Sequence, residues 1–221
     1  MKRKTKPRLI IAFLGPQGAG KGTQAVALAK RLGLPEISTG ALYRREIDSD
    51  TRLGRAVKKD VSHGRLVADK ITNSLLAKRL KEKDLKRGVV IDGYPRTLGQ
   101  AAALQAISPP AAVYVIDVSD KTAIVRITGR RVCPACGASF HLKFRPPKKA
   151  GVCDVCGRPL IKRKDDTAES IKKRLRVYHR DTEPILAIYN RSKKLIRIDG
   201  NGPISDIAKQ VWTRLPKWLK N

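Results

Sequence analysis

Residues 9–24 form an apolar run that passes directly into a glycine-rich loop, with the order Leu9-Ile10-Ile11-Ala12-Phe13-Leu14-Gly15-Pro16-Gln17-Gly18-Ala19-Gly20-Lys21-Gly22-Thr23-Gln24. Six consecutive apolar residues predict a strand that is buried on both faces, because a half-exposed strand would alternate. Apolar side chains then recur at helical spacing as far as Gly33, which predicts a helix from about Gly20. In a strand–loop–helix of this kind, backbone N–H groups and the helix N-terminus converge on an anion. Lys21 adds a full positive charge.

The alternative interpretation of this loop is a glycine-rich turn that binds nothing. Its position between a buried strand and an amphipathic helix favours phosphate binding. The loop also departs from the general phosphate-loop pattern, in which Ser or Thr follows the lysine directly, since Gly22 precedes Thr23 here.

Apolar and amphipathic segments alternate along the rest of the chain. Further strands are predicted at 89–92, 112–116 and 195–198, with helices between them. This alternation predicts a doubly wound parallel α/β sheet. Residues 131–166 differ, because they contain all four cysteines and little apolar periodicity. We interpret them as an inserted module between helices at 121–128 and 167–189.

The composition is strongly basic, with 48 Lys and Arg against 19 Asp and Glu in 221 residues and a formal net charge of +29. Long apolar runs exclude disorder of the whole chain, and no run is long enough to span a bilayer. Residues 1–8 predict a basic disordered tail without the cleavage pattern of a signal peptide. We therefore expect a cytoplasmic protein that does not associate with membranes and whose partners are polyanionic.

The form of the loop, Gly-x-x-Gly-x-Gly-Lys-Gly-Thr-Gln, resembles that of adenylate kinases, and further blocks agree in order along the chain. Ile37-Ser38-Thr39-Gly40 with Arg44 resembles the start of the module that binds nucleoside monophosphate in this family. The second signature is matched by Asp92-Gly93-Tyr94-Pro95-Arg96-Thr97 with Gln100. The borders of the family's lid are matched by Gly129-Arg130-Arg131 and Arg163-Lys164-Asp165-Asp166. The resemblance implies a P-loop NTPase core over 9–221, with a monophosphate-binding insert at 38–67 and a lid at 129–166.

The resemblance also assigns the donor side of the site. Arg126 and Arg130 are four residues apart, so on one helix both side chains would project from the same face. The residues implied for ATP are Gly18, Ala19, Gly20, Lys21, Gly22, Thr23, Arg126, Arg130, Ser139, Phe140 and Gly202. Phe140 stands where the family packs an aromatic ring on the donor base, whereas Gly202 stands where relatives often carry Lys.

The acceptor side follows from the same blocks. Thr39 and Gln100 stand where adenylate kinases contact adenine, while relatives that act on UMP or CMP carry Asn at related positions, so AMP is favoured. The residues implied for AMP are Thr39, Arg44, Arg65, Leu66, Val67, Gly93, Tyr94, Pro95, Arg96, Gln100, Arg163 and Arg174. By resemblance, Asp92 orients Mg²⁺ through water; the alternative is a buried aspartate that caps the following turn. Since phosphoryl transfer depends on positioning and charge, the residues predicted to be catalytic are Lys21, Asp92, Arg96, Arg126, Arg130, Arg163 and Arg174.

Four cysteines occur as two Cys-x-x-Cys pairs, Cys133/Cys136 and Cys153/Cys156, separated by sixteen residues. Two such knuckles can present four thiolates tetrahedrally, which suits a structural Zn²⁺. Disulfides are disfavoured because the chain is expected in a reducing compartment. Since all four positions are occupied by protein ligands, no position is open for a catalytic water.

The sequence therefore predicts transfer of the terminal phosphate of ATP to AMP, giving two ADP, by a monomer without an obligate protein partner. One alternative is a kinase of another nucleoside monophosphate, such as UMP or CMP. Another is a zinc-containing nucleic-acid-binding protein, which would be expected to interleave aromatic and basic residues, whereas aromatics are only 5% here. Seven cations are assigned to phosphates, so we attribute weak, non-specific nucleic-acid binding to the remaining basic residues.

Overall fold

A computed structural model describes residues 9–220; the basic tail predicted at 1–8 lies outside the described residues. Seven strands occur in the described range: β1 Leu9–Leu14, β2 Glu36–Ser38, β3 Gly88–Asp92, β4 Ala112–Asp117, β5 Arg130–Val132, β6 Ser139–His141 and β7 Leu195–Asp199. The α-helices of the same range are α1 Lys21–Leu32, α2 Thr39–Asp48, α3 Arg52–Ser62, α4 Asp69–Leu80, α5 Leu98–Ile107, α6 Asp120–Thr128, α7 Ala168–Val177, α8 Ile185–Arg191 and α9 Ile204–Thr213. Short 3₁₀ turns lie at Lys83–Leu85 and Lys217–Leu219.

The main sheet has five parallel strands in the order β2-β3-β1-β4-β7. The four strands expected from the sequence are all present. Strand β2 is a further one, and its three residues are too few to give a periodic signal. The register puts Ser38 of β2 and Phe13 of β1 on either side of Asp92, the last residue of β3. The carboxyl ends of these strands therefore meet at one edge of the sheet.

Helices cover both faces of the sheet. On one face, Phe13 and Tyr114 stack with ring centroids 4.9 Å apart, in a cluster that includes Leu28 of α1 and Val211 of α9. On the other face, alternate strand residues pack in two clusters with apolar side chains of α4, α5 and α8. Two-sided burial explains why the three central strands, β1, β3 and β4, are nearly continuous apolar runs. The doubly wound α/β fold is confirmed.

Two segments project from this core. Helices α2 and α3 pack on one another around Tyr43, Val57 and Val67. The second segment contains the antiparallel pair β5 and β6 and has its own small cluster of Cys133, Phe140 and Cys153.

Two local predictions differ from the structure. Arg130 is the first residue of β5, because α6 ends at Thr128, so the prediction that Arg126 and Arg130 share one helix is wrong. The helix expected at 167–189 is interrupted by a π-helical turn, Tyr178–Thr182, before α8 begins after Pro184. Proline lacks the N–H that a continuous helix would need.

No helix within residues 9–220 combines the length and the apolar character needed to cross a membrane.

Candidate active site at the carboxyl edge of the sheet

The glycine-rich loop connects β1 to α1 in a conformation that only small residues permit. Gly18 has a φ of 88°, and a Cβ there would lie 2.5 Å from the carbonyl oxygen of Ala123. Gly20 also has positive φ and immediately precedes α1, so the free N–H groups of the first helical turn face the loop without a side-chain cap. Lys21 is the first residue of α1, and its Nζ donates to the carbonyl of Pro16 at 2.8 Å. The loop therefore folds back so that its backbone contacts the ammonium group of Lys21.

The electrostatic surroundings of Lys21 are unusual. Burial lowers the pKa of Lys21 to about 8; Asp92 opposes the shift, and Arg96 and Arg130 add to it. A buried cation among other cations is costly unless an anion joins it. The arrangement is therefore suited to an anionic ligand.

The carboxylate of Asp92 lies beside the first turn of α1 and has spare hydrogen-bonding capacity. Its Oδ1 is buried and accepts no hydrogen bond from residues 9–220, while Oδ2 is 3.4 Å from Ser38 Oγ. A Cβ at Gly22 would lie 3.2 Å from Oδ2, so the glycine that departs from the general loop pattern leaves space beside this carboxylate. An unpartnered buried carboxylate oxygen next to a phosphate loop fits a hydrated divalent cation.

Six of the predicted cations converge from separate segments: Lys21, Arg44, Arg96, Arg130, Arg163 and Arg174. The pKa of Arg163 is lowered to about 9, mainly by burial and in addition by the charges of Arg130 and Arg44. Burial also lowers the pKa of Arg96. Mutual repulsion of this kind indicates a cluster of positive charge that is incomplete without an anion.

Aspartates at the end of the second projecting segment partly balance this cluster. Asp166 forms a forked ion pair with Arg130, and Asp165 accepts from Arg174 Nη2 at 2.7 Å. Arg174 Nη2 also donates to the carbonyl of Val61 in α3 at 3.0 Å. Arg174 therefore connects the segment of α2 and α3 to the end of the other segment.

Arg126, the seventh predicted cation, lies apart from this cluster. Burial lowers its pKa and Asp199 opposes the shift. Its Cζ is 6.0 Å from the ring centroid of Phe144, which is half exposed. Phe140, the aromatic expected on the donor base, is 3% exposed and packs against Cys133 and Cys153. The accessible ring beside Arg126 is therefore that of Phe144, a residue that sequence reasoning did not select.

Ser139 and Gly202, which are also expected near the donor base, are more exposed than Phe140. Ser139 begins β6 and is partly buried. Gly202 precedes α9, and the nearest heavy atom to a Cβ there would be that of Asp206 at 4.0 Å. The space beside Gly202 is open.

The residues predicted around the acceptor base surround the turn after β3. Thr39 is buried, and its hydroxyl donates to the carbonyl of Gly93 at 3.0 Å. Arg96 Nε donates to the same carbonyl at 2.6 Å, and Arg96 N donates to Gln100 Oε1 at 2.8 Å. The peptide bond between Tyr94 and Pro95 is cis. Thr39 and Gln100 therefore both hydrogen-bond to the backbone of the turn at 93–96.

The remaining acceptor residues lie between α3 and α4. Arg65 is exposed and its Nε donates to Asp60 at 2.9 Å, while Leu66 is partly buried. The carbonyl of Val67 accepts from Thr72 Oγ1 at 3.3 Å. Thr72 Oγ1 is in turn 2.6 Å from the hydroxyl of Tyr43, so α2 supports this backbone segment.

Two further acidic groups near the site carried no sequence signal. Asp69 contacts Gln100 and Thr97, but a lone aspartate at a helix start has no distinctive pattern. Glu36 lies in β2. Its pKa is raised to about 7, mainly by burial and in addition by the negative charge of Asp92. Only the pairing of β2 with β3 brings it near the site.

The four cysteines form one cluster. Their sulfur atoms all lie within 4.8 Å of one another, and none forms a disulfide. The two knuckles repeat the same geometry: the N–H groups of Gly137 and Gly157 donate to the carbonyls of Cys133 and Cys153, with positive φ at both glycines. The set can hold a metal ion, and four sulfur ligands are the donor set that Zn²⁺ accepts.

Comparisons with known proteins agree with this geometry. The family model described as adenylate kinase matches residues 13–194. An adenylate kinase of Caldanaerobacter subterraneus subsp. tengcongensis is 44% identical over 206 residues, which cover 91% of this chain and 93% of the relative. An adenylate kinase of Caldicellulosiruptor saccharolyticus is 44% identical over 92% of this chain and 96% of its own length. One of Clostridium perfringens is 42% identical over 91% of this chain and 95% of its own length. The chain is a member of the adenylate kinase family.

Proposed function

We propose that this chain transfers the terminal phosphate of ATP to AMP and forms two ADP, with reversible chemistry. The proposal rests on one observation above all: six cations form one charged region that includes Lys21 of the phosphate loop, beside a carboxylate oxygen that has no partner within residues 9–220. Transfer between two phosphates requires charge stabilisation and alignment, and an acceptor that is already an anion needs no strong base.

The donor phosphates would bind the loop from Gly18 to Thr23. Backbone N–H groups, the start of α1 and Lys21 supply the positive potential there, and Arg130 supplies a further charge. Arg126 would serve the donor from the side of the lid. Ser139, Phe140 and Gly202 remain the proposed contacts of the donor base. Because the Phe140 ring is buried, the lid would have to change conformation before this ring could contact a base.

The acceptor phosphate would bind between Arg44, Arg96, Arg163 and Arg174, and the base would lie against Thr39, Gln100 and the backbone of Arg65–Val67. Gly93, Tyr94 and Pro95 complete this wall. Because the charge of Arg130 adds to the effect of burial in lowering the pKa of both Arg44 and Arg163, the acceptor and donor cations share one charged region. The two phosphates can then meet without a covalent enzyme intermediate.

Two ions accompany this proposal. Asp92 would hold a water of Mg²⁺, and the ion bound with ATP would neutralise phosphate charge. The four cysteines would hold a structural Zn²⁺, since the lid buries too little apolar surface to stabilise itself.

We also propose that the segments at 38–67 and 129–166 move. Closing them would exclude water, which otherwise competes with AMP for the phosphoryl group. The supporting contact is that of Arg174, which reaches both Val61 and Asp165.

The chain is proposed to act as a cytoplasmic monomer. The four thiols form no disulfide, as expected in a reducing compartment. A formal net charge of +29 far exceeds the needs of the site and supports weak attraction to RNA or other polyanions.

The deciding experiment is a coupled assay of ADP formation from MgATP with AMP, CMP, UMP or GMP as the acceptor. We expect AMP to be preferred. Weak activity with AMP and strong activity with UMP or CMP would instead assign the chain to the other monophosphates, and absence of transfer to all four would refute the phosphotransferase assignment.

A further inference from the structure

The side chain of Gln100 is held from two sides. Its Oε1 accepts from the backbone N–H of Arg96 at 2.8 Å, and its Nε2 donates to Asp69 Oδ1 at 2.8 Å. A backbone N–H can only donate, and an aspartate carboxylate can only accept. The amide oxygen must therefore face Arg96 and the amide nitrogen must face Asp69.

Asp69 is itself fixed in place. Its second oxygen, Oδ2, accepts from the hydroxyl of Thr97 at 2.6 Å. Asp69 is the first residue of α4, where the helix dipole favours a negative charge. A Cβ at residue 99 would lie 2.5 Å from Oδ2, so Gly99 leaves the space that the carboxylate occupies. Asp69 is thus a rigid acceptor rather than a mobile surface charge.

We infer that Asp69 is a positioning residue that selects a 6-amino purine over a 6-oxo purine by fixing the orientation of the Gln100 amide. The inference rests on the proposed function and names a determinant of its base selectivity. Two hydrogen bonds occupy one N–H and one oxygen lone pair of the amide, so one N–H and one lone pair are left for a base.

These two groups match adenine, in which N1 accepts and the amino group at C6 donates. In a 6-oxo purine the two positions are reversed, because N1 donates and O6 accepts. Only a flipped amide would match that base. A flip would direct Nε2 at the N–H of Arg96 and Oε1 at the carboxylate of Asp69, which makes two repulsive contacts in place of two hydrogen bonds.

The test compares AMP with IMP, which differ only at this edge of the base. In Asp69→Ala the ratio of kcat/KM for AMP to that for IMP should fall about tenfold, the scale expected for losing one charge-assisted hydrogen bond. The KM for AMP should rise while the KM for ATP stays unchanged. Asp69→Asn should retain most of the ratio, because its amide oxygen can still accept from Gln100 and its nitrogen can donate to Thr97.

Asp84→Ala is the matched control, since Asp84 is an exposed partner of Arg79, near the other end of α4, and should leave the ratio unchanged. If Asp69→Ala does not fold, Asp69→Ser replaces it, because serine is too short to reach Gln100. An unchanged ratio in the folded variant, or equal losses with AMP and IMP, would overturn the inference.

A nucleotide-free measurement separates this inference from the proposed function. In the nuclear magnetic resonance spectrum of the unchanged protein, the Nε2 protons of Gln100 should exchange slowly with solvent, and Asp69→Ala should accelerate their exchange. Rapid exchange in the unchanged protein would overturn the positioning role of Asp69, whereas failure of the unchanged protein to phosphorylate AMP would overturn the proposed function alone.

Discussion

Arg130 and Asp166 form a forked ion pair that joins the two ends of the lid segment. Arg130 Nε lies 2.9 Å from Asp166 Oδ2, Arg130 Nη2 lies 2.5 Å from Oδ1, and the side chain of Asp166 is 0% exposed. Arg130 is the first residue of β5, and Asp166 immediately precedes the turn into α7. The pair therefore orients Arg130, a proposed phosphate-binding cation, and also holds the two ends of the lid together.

Asp166→Ala should lower the free energy of unfolding by about 2–3 kcal/mol, because it leaves the partly buried Arg130 without its partner. Chemical denaturation measures this loss, and the rate of ADP formation should fall with it. Asp50→Asn is the control: Asp50 pairs with Arg55 on the surface, and exposed pairs contribute about 0.5 kcal/mol or less. Equal effects of the two substitutions would contradict a special role of Asp166.

The activity should depend on pH through Lys21. Burial lowers its pKa to about 8 in the free protein, and the ammonium form is the one proposed to bind phosphate. Lys21 is therefore almost fully protonated well below pH 8 and loses its charge as the pH rises through 8. Above that pH, kcat/KM for ATP should fall about tenfold per pH unit. The kcat should hold to higher pH, because a bound phosphate raises the pKa of Lys21.

Lys21→Met serves as the control for this profile. It removes the charge but retains most of the length and volume of the side chain, so the fold should persist while transfer is lost. Thermal unfolding checks the first point and the coupled assay the second. Substantial activity in Lys21→Met would show that the alkaline decline belongs to another group.

Asp92→Asn should weaken the response to Mg²⁺ and leave the fold almost unchanged. Within residues 9–220 the hydrogen bonding of the carboxylate is limited to one long contact, 3.4 Å to Ser38, and asparagine can keep that contact, so few hydrogen bonds are lost. Titration of activity with Mg²⁺ at fixed ATP should show a higher half-saturating concentration and a kcat reduced about tenfold or more. Strong thermal destabilisation with an unchanged Mg²⁺ response would favour a capping role for Asp92 instead.

Removal of metal should unfold the lid before the core. We expect one Zn²⁺ per chain by elemental analysis, and chelation in the absence of nucleotide should lower the melting temperature. Trypsin should then cleave first at exposed basic residues of the lid, such as Lys143 and Lys149. Cys153→Ser should reproduce the effect without a chelator. Full protease resistance after the metal has been removed would refute a structural role for it.

The basic surface should bind RNA weakly and with a strong dependence on salt. The expected dissociation constant is about 10⁻⁴–10⁻⁶ M near physiological salt, and binding should weaken steeply between about 50 and 200 mM salt. Fluorescence anisotropy with a labelled RNA homopolymer measures both. Saturating ATP should not displace the RNA if surface cations bind it, whereas full displacement would assign the binding to the active site. No binding at low salt would show that the surplus charge has no such role.

Much of the fold could be predicted from local patterns. The run at Leu9–Leu14 is apolar because β1 is buried on both faces. An apolar run of this kind predicts a central parallel strand from sequence alone. Strand β2 could not be predicted, because its three residues become a strand only by pairing with β3. The end of α6 is likewise set by tertiary structure: Arg130 leaves the helix to pair with His141 in the antiparallel ribbon.

The sequence by itself determined the chemistry that this protein can hold: a glycine loop that permits backbone N–H groups to converge, a lysine at the start of a helix, and two cysteine pairs with metal-ligand spacing. These features are local, so spacing along the chain carries them. Only the tertiary structure decided which charges meet. Asp69 and Gln100 are 31 residues apart, and Arg130 and Asp166 are 36 apart. Such pairs depend on how helices and strands pack, and no local pattern specifies that packing. For the same reason Phe140 is buried while Phe144 remains accessible.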